Sequence, residues 1–318
     1  MSDRHFFQGI ACALGAGLAW GIVFVVPLVL ADYPPAILSF GRYIAFGLIA
    51  IALALRDFKR LATLDRRDWW MALELALSGN ILYYLSLSAA IQLAGAPLPT
   101  MLIGTLPIVI AVISNFHDSS LAWRRLLPSL AVIAAGIALV NQHELSHLGS
   151  RSLEAYIEGA VFGCAAVICW TWYPIRNAWW LRQRPQIASG TWATAQGLAT
   201  LPLALIGMAG SALWYTLKTP DAVGFDFPFG PTPGRYIALM FVVGLVASWI
   251  GTLLWNRASK LLPTALSGQL IVFETLAAFS YAFIWRGEVP EVAALGGIAL
   301  LVVGVMLGVR AFQRRRPS

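Results

Sequence analysis

Charge is what this 318-residue chain has least of: Asp, Glu, Lys and Arg together make up 12% of it, against 59% hydrophobic residues. A soluble globular domain is nearer a quarter charged, so a water-soluble enzyme is excluded. Cysteine is equally scarce. Cys12, Cys164 and Cys169 all fall inside apolar runs, which leaves no disulfide framework facing an oxidising aqueous compartment. No phosphate cradle of the form G-x-x-x-x-G-K-[ST] occurs, and ATP-driven pumping therefore has no support. The 28 Gly and 17 Pro are scattered without a triplet period, which, with so high an apolar share, excludes collagen and disorder.

Long apolar runs are what the chain does have. About 20 such residues cross a hydrocarbon core roughly 30 Å thick. Ten runs can be marked, near 7–30, 36–55, 71–94, 97–115, 126–142, 158–178, 187–209, 236–256, 263–285 and 292–309. The fold class expected is all-α, a polytopic integral membrane protein of ten transmembrane helices. The first run has Arg4 ahead of it, as a signal peptide would, but it continues too far and lacks an A-x-A-like cleavage site. It is expected to remain as a helix.

A formal charge of +7 would suggest nucleic acid in a soluble domain. Here the basic residues sit in the short gaps between runs, so they read as topology signals and no nucleic-acid partner is expected. With a cytoplasmic N-terminus, 17 Lys and Arg lie inside, against Arg151, Lys218, Arg235 and Arg286 outside and Arg42 within a run. Both termini are therefore expected in the cytoplasm, the protein being a multi-pass component of a bacterial inner membrane.

The polar stretch 143–158 divides the chain into residues 1–150 and 151–318, five runs each. An odd number of spans per half means that related halves sit in opposite orientations. They do look related. Gly9 and Trp20 are spaced as Gly159 and Trp170 are; Leu98-Pro99-Thr100 with Gly104 returns as Leu262-Pro263-Thr264 with Gly268; Gly136-Ile137-Ala138-Leu139 returns as Gly297-Ile298-Ala299-Leu300. Two inverted five-helix repeats forming one transmembrane domain are expected.

The ten runs in two halves, the matched Gly and Trp of the first and sixth, the polar third and eighth, and the G-I-A-L ends resemble the drug/metabolite transporter superfamily, specifically its EamA-type exporters. Within it the chain is most similar to exporters of aromatic and other neutral amino acids. The resemblance implies alternating access and a small-molecule substrate, with no cofactor and no enzymatic activity. It departs from the family in having Pro107 in the fourth run but Ile271 at the repeat position in the ninth. Asp118 and Glu288 are the nearest matches to the acidic residues that commonly follow those helices, and the stretch 210–234 is an outer elaboration.

Lipid cannot satisfy polar groups, so a polar stripe on a spanning helix should face another helix or a wet cavity. Tyr84, Ser88 and Gln92 form such a stripe in the third run, with Asn80 and Tyr83 beside it; Ser248, Thr252 and Asn256 are its repeat equivalents in the eighth. Bonding across helix interfaces is the competing explanation. Glu274 falls near the middle of the ninth run, where a carboxylate is costly and by default functional. It is a candidate for gripping a substrate ammonium group or for proton coupling, with Ser267 and Tyr281 seven residues to either side on one helical face. Trp20 and Trp170 lie away from the interfacial belts and are candidates to stack on substrate, helix packing being the alternative. Glu74, near the cytoplasmic end of its run, reads as an interfacial residue. Arg42 is close enough to the outer end of its run to snorkel, with a substrate-carboxylate role as the lesser reading.

His143-Glu144-Leu145-Ser146-His147 matches the H-E-x-x-H zinc signature. It falls in a polar loop, with His5 and His117 expected on the opposite side, so no metal site is assigned. An intramembrane zinc metalloprotease and a phosphate-sugar or nucleotide-sugar antiporter remain the alternative functions. The antiporter fits less well because Arg42 is the lone cation within a run. The substrate expected is neutral or zwitterionic, and the protein is expected to act as a monomer in the lipid bilayer.

Overall fold

The computed structural model describes residues 3–30, 32–94, 97–118, 121–140, 153–217, 225–287 and 292–314. All regular structure among them is helical. The helices join into ten rods that follow the apolar runs. The first rod is Asp3–Gly21, a 3-10 turn at Ile22–Phe24 and a short helix at Val26–Val29; the second is Pro35–Leu61. The third joins Arg66–Ala76 to Tyr83–Ala94 through a π-helical segment, Leu77–Leu82. The fourth is Pro97–Gly104 and Leu106–Asp118, and the fifth Trp123–Val140. The sixth, Leu153–Gln183, and the seventh, Ser189–Leu217, are continuous. The eighth joins Pro233–Val243 to Gly251–Leu261 through a second π-helical segment, Gly244–Ile250. The ninth is Thr264–Leu270 and Val272–Arg286, and the tenth Val292–Gln313.

Local chemistry sets these limits. Proline's fixed φ suits a first turn, and Pro35 and Pro233 open their rods there. Asp65 caps the third rod: its carboxylate accepts from the Arg67 and Asp68 backbone N–H groups, while the Asp68 carboxylate accepts from the Asp65 N–H. This reciprocal box satisfies donors that the first helical turn leaves free. Gly287, at φ +67°, stops the ninth rod where a residue with a Cβ would be strained.

Among the described residues, five helices are long and apolar enough to cross a membrane: Pro35–Leu61, Leu153–Gln183, Ser189–Leu217, Pro233–Leu261 and Leu295–Gln313. Packing interleaves the two halves of the chain. The first rod lies on the eighth and ninth, the sixth on the third and fourth, the second on the seventh, the fourth on the ninth, and the fifth on the tenth. Small residues allow these approaches. A Cβ on Gly21 would sit 2.5 Å from the Ala277 Cβ, and one on Gly17 would sit 3.0 Å from the Glu274 backbone nitrogen. The two G-I-A-L segments meet directly, Gly136 against the Gly297 carbonyl. In lipid, where burial drives little helix association, such close backbone contact is a main source of packing energy.

Candidate functional site

Both the fourth and the ninth rods break in the middle, and by the same hydrogen-bond pattern. Thr105 N–H donates to the Leu102 carbonyl at 3.1 Å, and Ile108 N–H to the Thr105 carbonyl at 3.0 Å. In the ninth rod Ile271 N–H donates to Gly268 at 3.2 Å, and Glu274 N–H to Ile271 at 2.9 Å. Each break is thus a tightening to three-residue bonds. Pro107 accounts for the first, since it has no N–H for the preceding turn. The second occurs without proline, at the repeat position Ile271. There the ninth rod is pressed by Gly17 and Gly21 of the first rod, and Gly268 lies against Ile110 of the fourth, a Cβ on it falling 2.6 Å from Ile110 Cγ2.

Next to the second break stands Glu274, partly buried. Ser267 lies on the other side of Ile271, so the unbroken helical face expected to align Ser267, Glu274 and Tyr281 is interrupted. Ser267 is buried with its hydroxyl unpartnered, and the Tyr281 hydroxyl donates to the Leu18 carbonyl at 3.2 Å.

The two matched tryptophans come together. Trp20 and Trp170 pack edge to face, ring centroids 5.5 Å apart. Trp170 is stacked between Tyr83 at 4.9 Å and Tyr173 at 5.2 Å, while Trp20 also meets Trp255 at 5.3 Å. Five rings from the first, third, sixth and eighth rods so form one cluster, with offset and edge contacts of the kind aromatic quadrupoles favour. Trp255 Nε1 is buried there without a hydrogen-bond partner.

A buried polar network holds one side of this cluster. The Tyr173 hydroxyl donates to Gln196 Oε1 at 3.0 Å. Asn177 Oδ1 accepts from Trp192 Nε1 at 2.9 Å, and Asn177 Nδ2 donates to Asn256 Oδ1 at 2.9 Å. Asn80 Nδ2 donates to Thr200 Oγ1 at 3.0 Å, and the Thr200 hydroxyl donates to the Gln196 carbonyl. Satisfied networks of this sort fix ring orientation. Asn80 therefore faces the seventh rod and Asn256 the sixth and the start of the seventh, its Nδ2 donating to the Ser189 carbonyl at 3.3 Å, whereas Ser248 accepts from Arg42 Nε at 3.0 Å. Arg42 does not reach outward as a snorkelling side chain. Its guanidinium lies 5.1 Å from the Tyr43 ring. Ser88 lies in the helix Tyr83–Ala94, and its side chain, like that of Gln92, falls outside the described residues.

Sequence reading missed Tyr173, Trp255, Asn177, Gln196 and Thr200. A signal was present for the last two: Thr191, Thr194, Gln196 and Thr200 all fall in the seventh run, whose polar residues went unexamined. The H-E-x-x-H stretch, Asp118's side chain and Glu288 fall outside the described residues. Among the described residues there is no group of three or more His, Cys, Asp or Glu that could hold a metal.

Charged groups gather at one end of the bundle. Arg184 pairs with Asp65 at 2.7 Å and Asp68 at 3.6 Å. Arg176 pairs with Glu74 at 2.9 Å, lying over the Trp172 and Trp179 rings, and Trp172 Nε1 donates to the same carboxylate. Glu74 is thus a structural partner. The Asp65 carboxyl is held below the usual carboxylate range, chiefly by the Asp68 backbone N–H and also by Arg184 and the Arg67 N–H.

Residues 7–142 match the model of the EamA-like transporter family. The chain is 48% identical over 309 residues to Inner membrane protein YtfF of Escherichia coli (strain K12), covering 96% of this chain and 95% of that one. Over 91 residues, 28% of this chain and 31% of the other, it is 38% identical to a probable terminal-alkyne amino-acid exporter of Streptantibioticus cattleyicolor. A solved crystal structure at 19% identity superposes with a TM-score of 0.71 over 98% of both chains, a likeness of fold. Near-complete overlap with a close relative, together with the family match across the first five rods, removes the metalloprotease reading: the chain belongs to the EamA-like transporter family and is a transporter, not an enzyme.

Proposed function

We propose that the protein is a secondary transporter of the inner membrane that exports small neutral or zwitterionic metabolites, amino acids including aromatic ones, by alternating access. The observation that carries this reading is the aromatic cluster of Trp20, Trp170, Tyr83, Tyr173 and Trp255, built from both halves of the chain. Aromatic faces suit apolar or aromatic side chains, and a lone intramembrane carboxylate suits an ammonium group or a coupled proton. Tyr84, Ser88, Ser248, Thr252, Ser267 and Asn80 complete the proposed binding region. The partly matching amino-acid exporter and the name of the longer relative support the substrate class and the membrane.

The proposed frame is ten spans in two inverted repeats, residues 1–150 and 151–318, with both termini cytoplasmic. Its support is the pairing of rods: exchanging each rod for its counterpart five places on turns the first-on-eighth contact into the sixth-on-third and leaves the second-seventh, fourth-ninth and fifth-tenth pairs unchanged. The two breaks and the two π-helical segments recur under the same exchange. The decisive experiment is uptake and counterflow in liposomes holding the purified protein, over a panel of amino acids, with and without a pH gradient. Exchange of none of them would sink the substrate assignment. Cysteines placed at Arg67 and Gly224 test orientation: an impermeant thiol reagent should label the second and not the first in intact cells.

A further inference from the structure

Arg42 is a cation inside a bundle with no anion in contact. Its Nε is used by Ser248, and among the described residues neither Nη1 nor Nη2 has a hydrogen-bond or ion-pair partner. Its guanidinium lies 5.1 Å from the centroid of the buried Tyr43 ring. The other described arginines of the sixth rod and the loop that follows differ in this respect: Arg176 and Arg184 have carboxylates at 2.9 and 2.7 Å, and Arg182 donates to Thr264 and the Leu262 carbonyl. A guanidinium held by one Nε bond keeps its two-Nη edge in a fixed plane, the geometry that takes a carboxylate through two parallel hydrogen bonds.

We infer that Arg42, oriented by Ser248, binds the carboxylate of the exported substrate on its Nη1/Nη2 edge. The inference rests on the exporter reading above and narrows it. The substrate must carry a carboxylate, so an α-amino acid is accepted, and its amide, which lacks one, is discriminated against. Ser248 acts as a positioning residue, holding the guanidinium by a bond that leaves the binding edge free. The selected feature is shared by all α-amino acids, and the aromatic cluster then sorts them by side chain.

Full-length protein in liposomes, loaded with labelled L-phenylalanine, L-tryptophan, L-threonine or L-alanine, would be challenged with each amino acid and its amide as competitors. Wild type should favour each accepted amino acid over its amide by at least about tenfold, the scale of a lost charge-assisted bidentate contact. Arg42→Gln should bring the two to parity by weakening the acid and not the amide, and Arg42→Lys should fall between. Ser248→Ala keeps the cation, so it tests the same edge if Arg42→Gln folds poorly: Km for the amino acid should rise several-fold with the amide unaffected. A tenfold preference that survives in both Arg42→Lys and Arg42→Gln, or an equal rise for acid and amide in Ser248→Ala, would overturn the assignment. Wild-type exchange of amino acids without preference over amides overturns it while leaving the exporter reading standing. Failure of wild type to exchange any amino acid overturns both.

Discussion

Three residues beyond the break in the fourth rod stands Ile108; three beyond the break in the ninth stands Glu274. The two breaks make the same pair of shortened bonds, but two residues out of register with the sequence match: Gly104 stands one residue before its break and Gly268 three before. The side chains go separate ways. Ile108 packs against an apolar cluster with Leu130, Ile133 and Leu266, whereas Glu274 places a partly buried carboxyl beside the first rod, its backbone nitrogen 3.0 Å from a would-be Cβ on Gly17. The same backbone break thus carries a carboxyl group in one rod and an aliphatic side chain in the other.

Breaking that difference should give the largest effect. Glu274→Gln keeps shape and removes charge. If Glu274 grips the substrate ammonium, amino-acid exchange in liposomes should fall about a hundredfold, as when one partner of an enclosed charge pair is removed. If it couples protons, exchange should persist and its response to an imposed pH gradient should vanish. Ile108→Val, the control in the other half, should leave both intact. Unchanged exchange and unchanged pH response in Glu274→Gln would reduce Glu274 to the structural rank of Ile108.

The matched pair of tryptophans sharpens the comparison at smaller scale. Trp170 is stacked between two tyrosines, and Trp20 touches its neighbours at an edge or a tilt. Trp170→Ala should therefore weaken exchange of aromatic amino acids about three- to tenfold more than that of alanine, and Trp20→Ala should discriminate less. Equal losses for all substrates, together with poorer protein yield, would assign both rings to packing.

Close packing itself can be tested without transport. Gly21→Val would drive a side chain into Ala277, where even a Cβ has only 2.5 Å, while Gly210 has nothing within 4 Å of its would-be Cβ. The first should cost about 1–3 kcal/mol, the usual toll of overpacking, measured as a lower Tm in detergent; Gly210→Ala should be nearly silent. A similar Tm for both would mean that the first and ninth rods are not held together at this contact.

Much of the frame was legible because lipid imposes long apolar runs, and those runs coincide with the rods. The pairing of Trp20 with Trp170 could be suspected from spacing, since the two matched positions turned out to meet. The break at Ile271 was not legible: neither proline nor glycine marks that residue, and the bend arises beside glycines of another rod. Arg42 was misjudged for a related reason. Depth along its own run permits snorkelling, and only the neighbouring π-helical segment, which turns Ser248 toward it, shows where the side chain goes. Sequence periodicity reports the face of a single helix; the polar network of Tyr173, Gln196, Asn177 and Asn256 depends on three rods meeting.

The smallest effect expected lies outside the spans, at the charged end of the bundle, where titration is simple enough to predict in sign. Asp65 is held below the ordinary carboxylate range by the Asp68 N–H first, with Arg184 and the Arg67 N–H adding to it. Its ionised form is thus favoured by folding, so its contribution is fully present above the unfolded-state value, about 3.9, and is lost as pH falls through the lower folded-state value. Asp65→Asn removes the titration and the Arg184 ion pair but retains an oxygen able to cap the helix. Its Tm should lie slightly below wild type at pH 7, and the gap should close as pH is lowered through the acidic range. Arg184→Gln should shrink the gap in part, because the backbone N–H bonds of the capping box remain. A gap constant from neutral to acidic pH would show that the cap acts through shape alone and that the carboxylate charge adds nothing there.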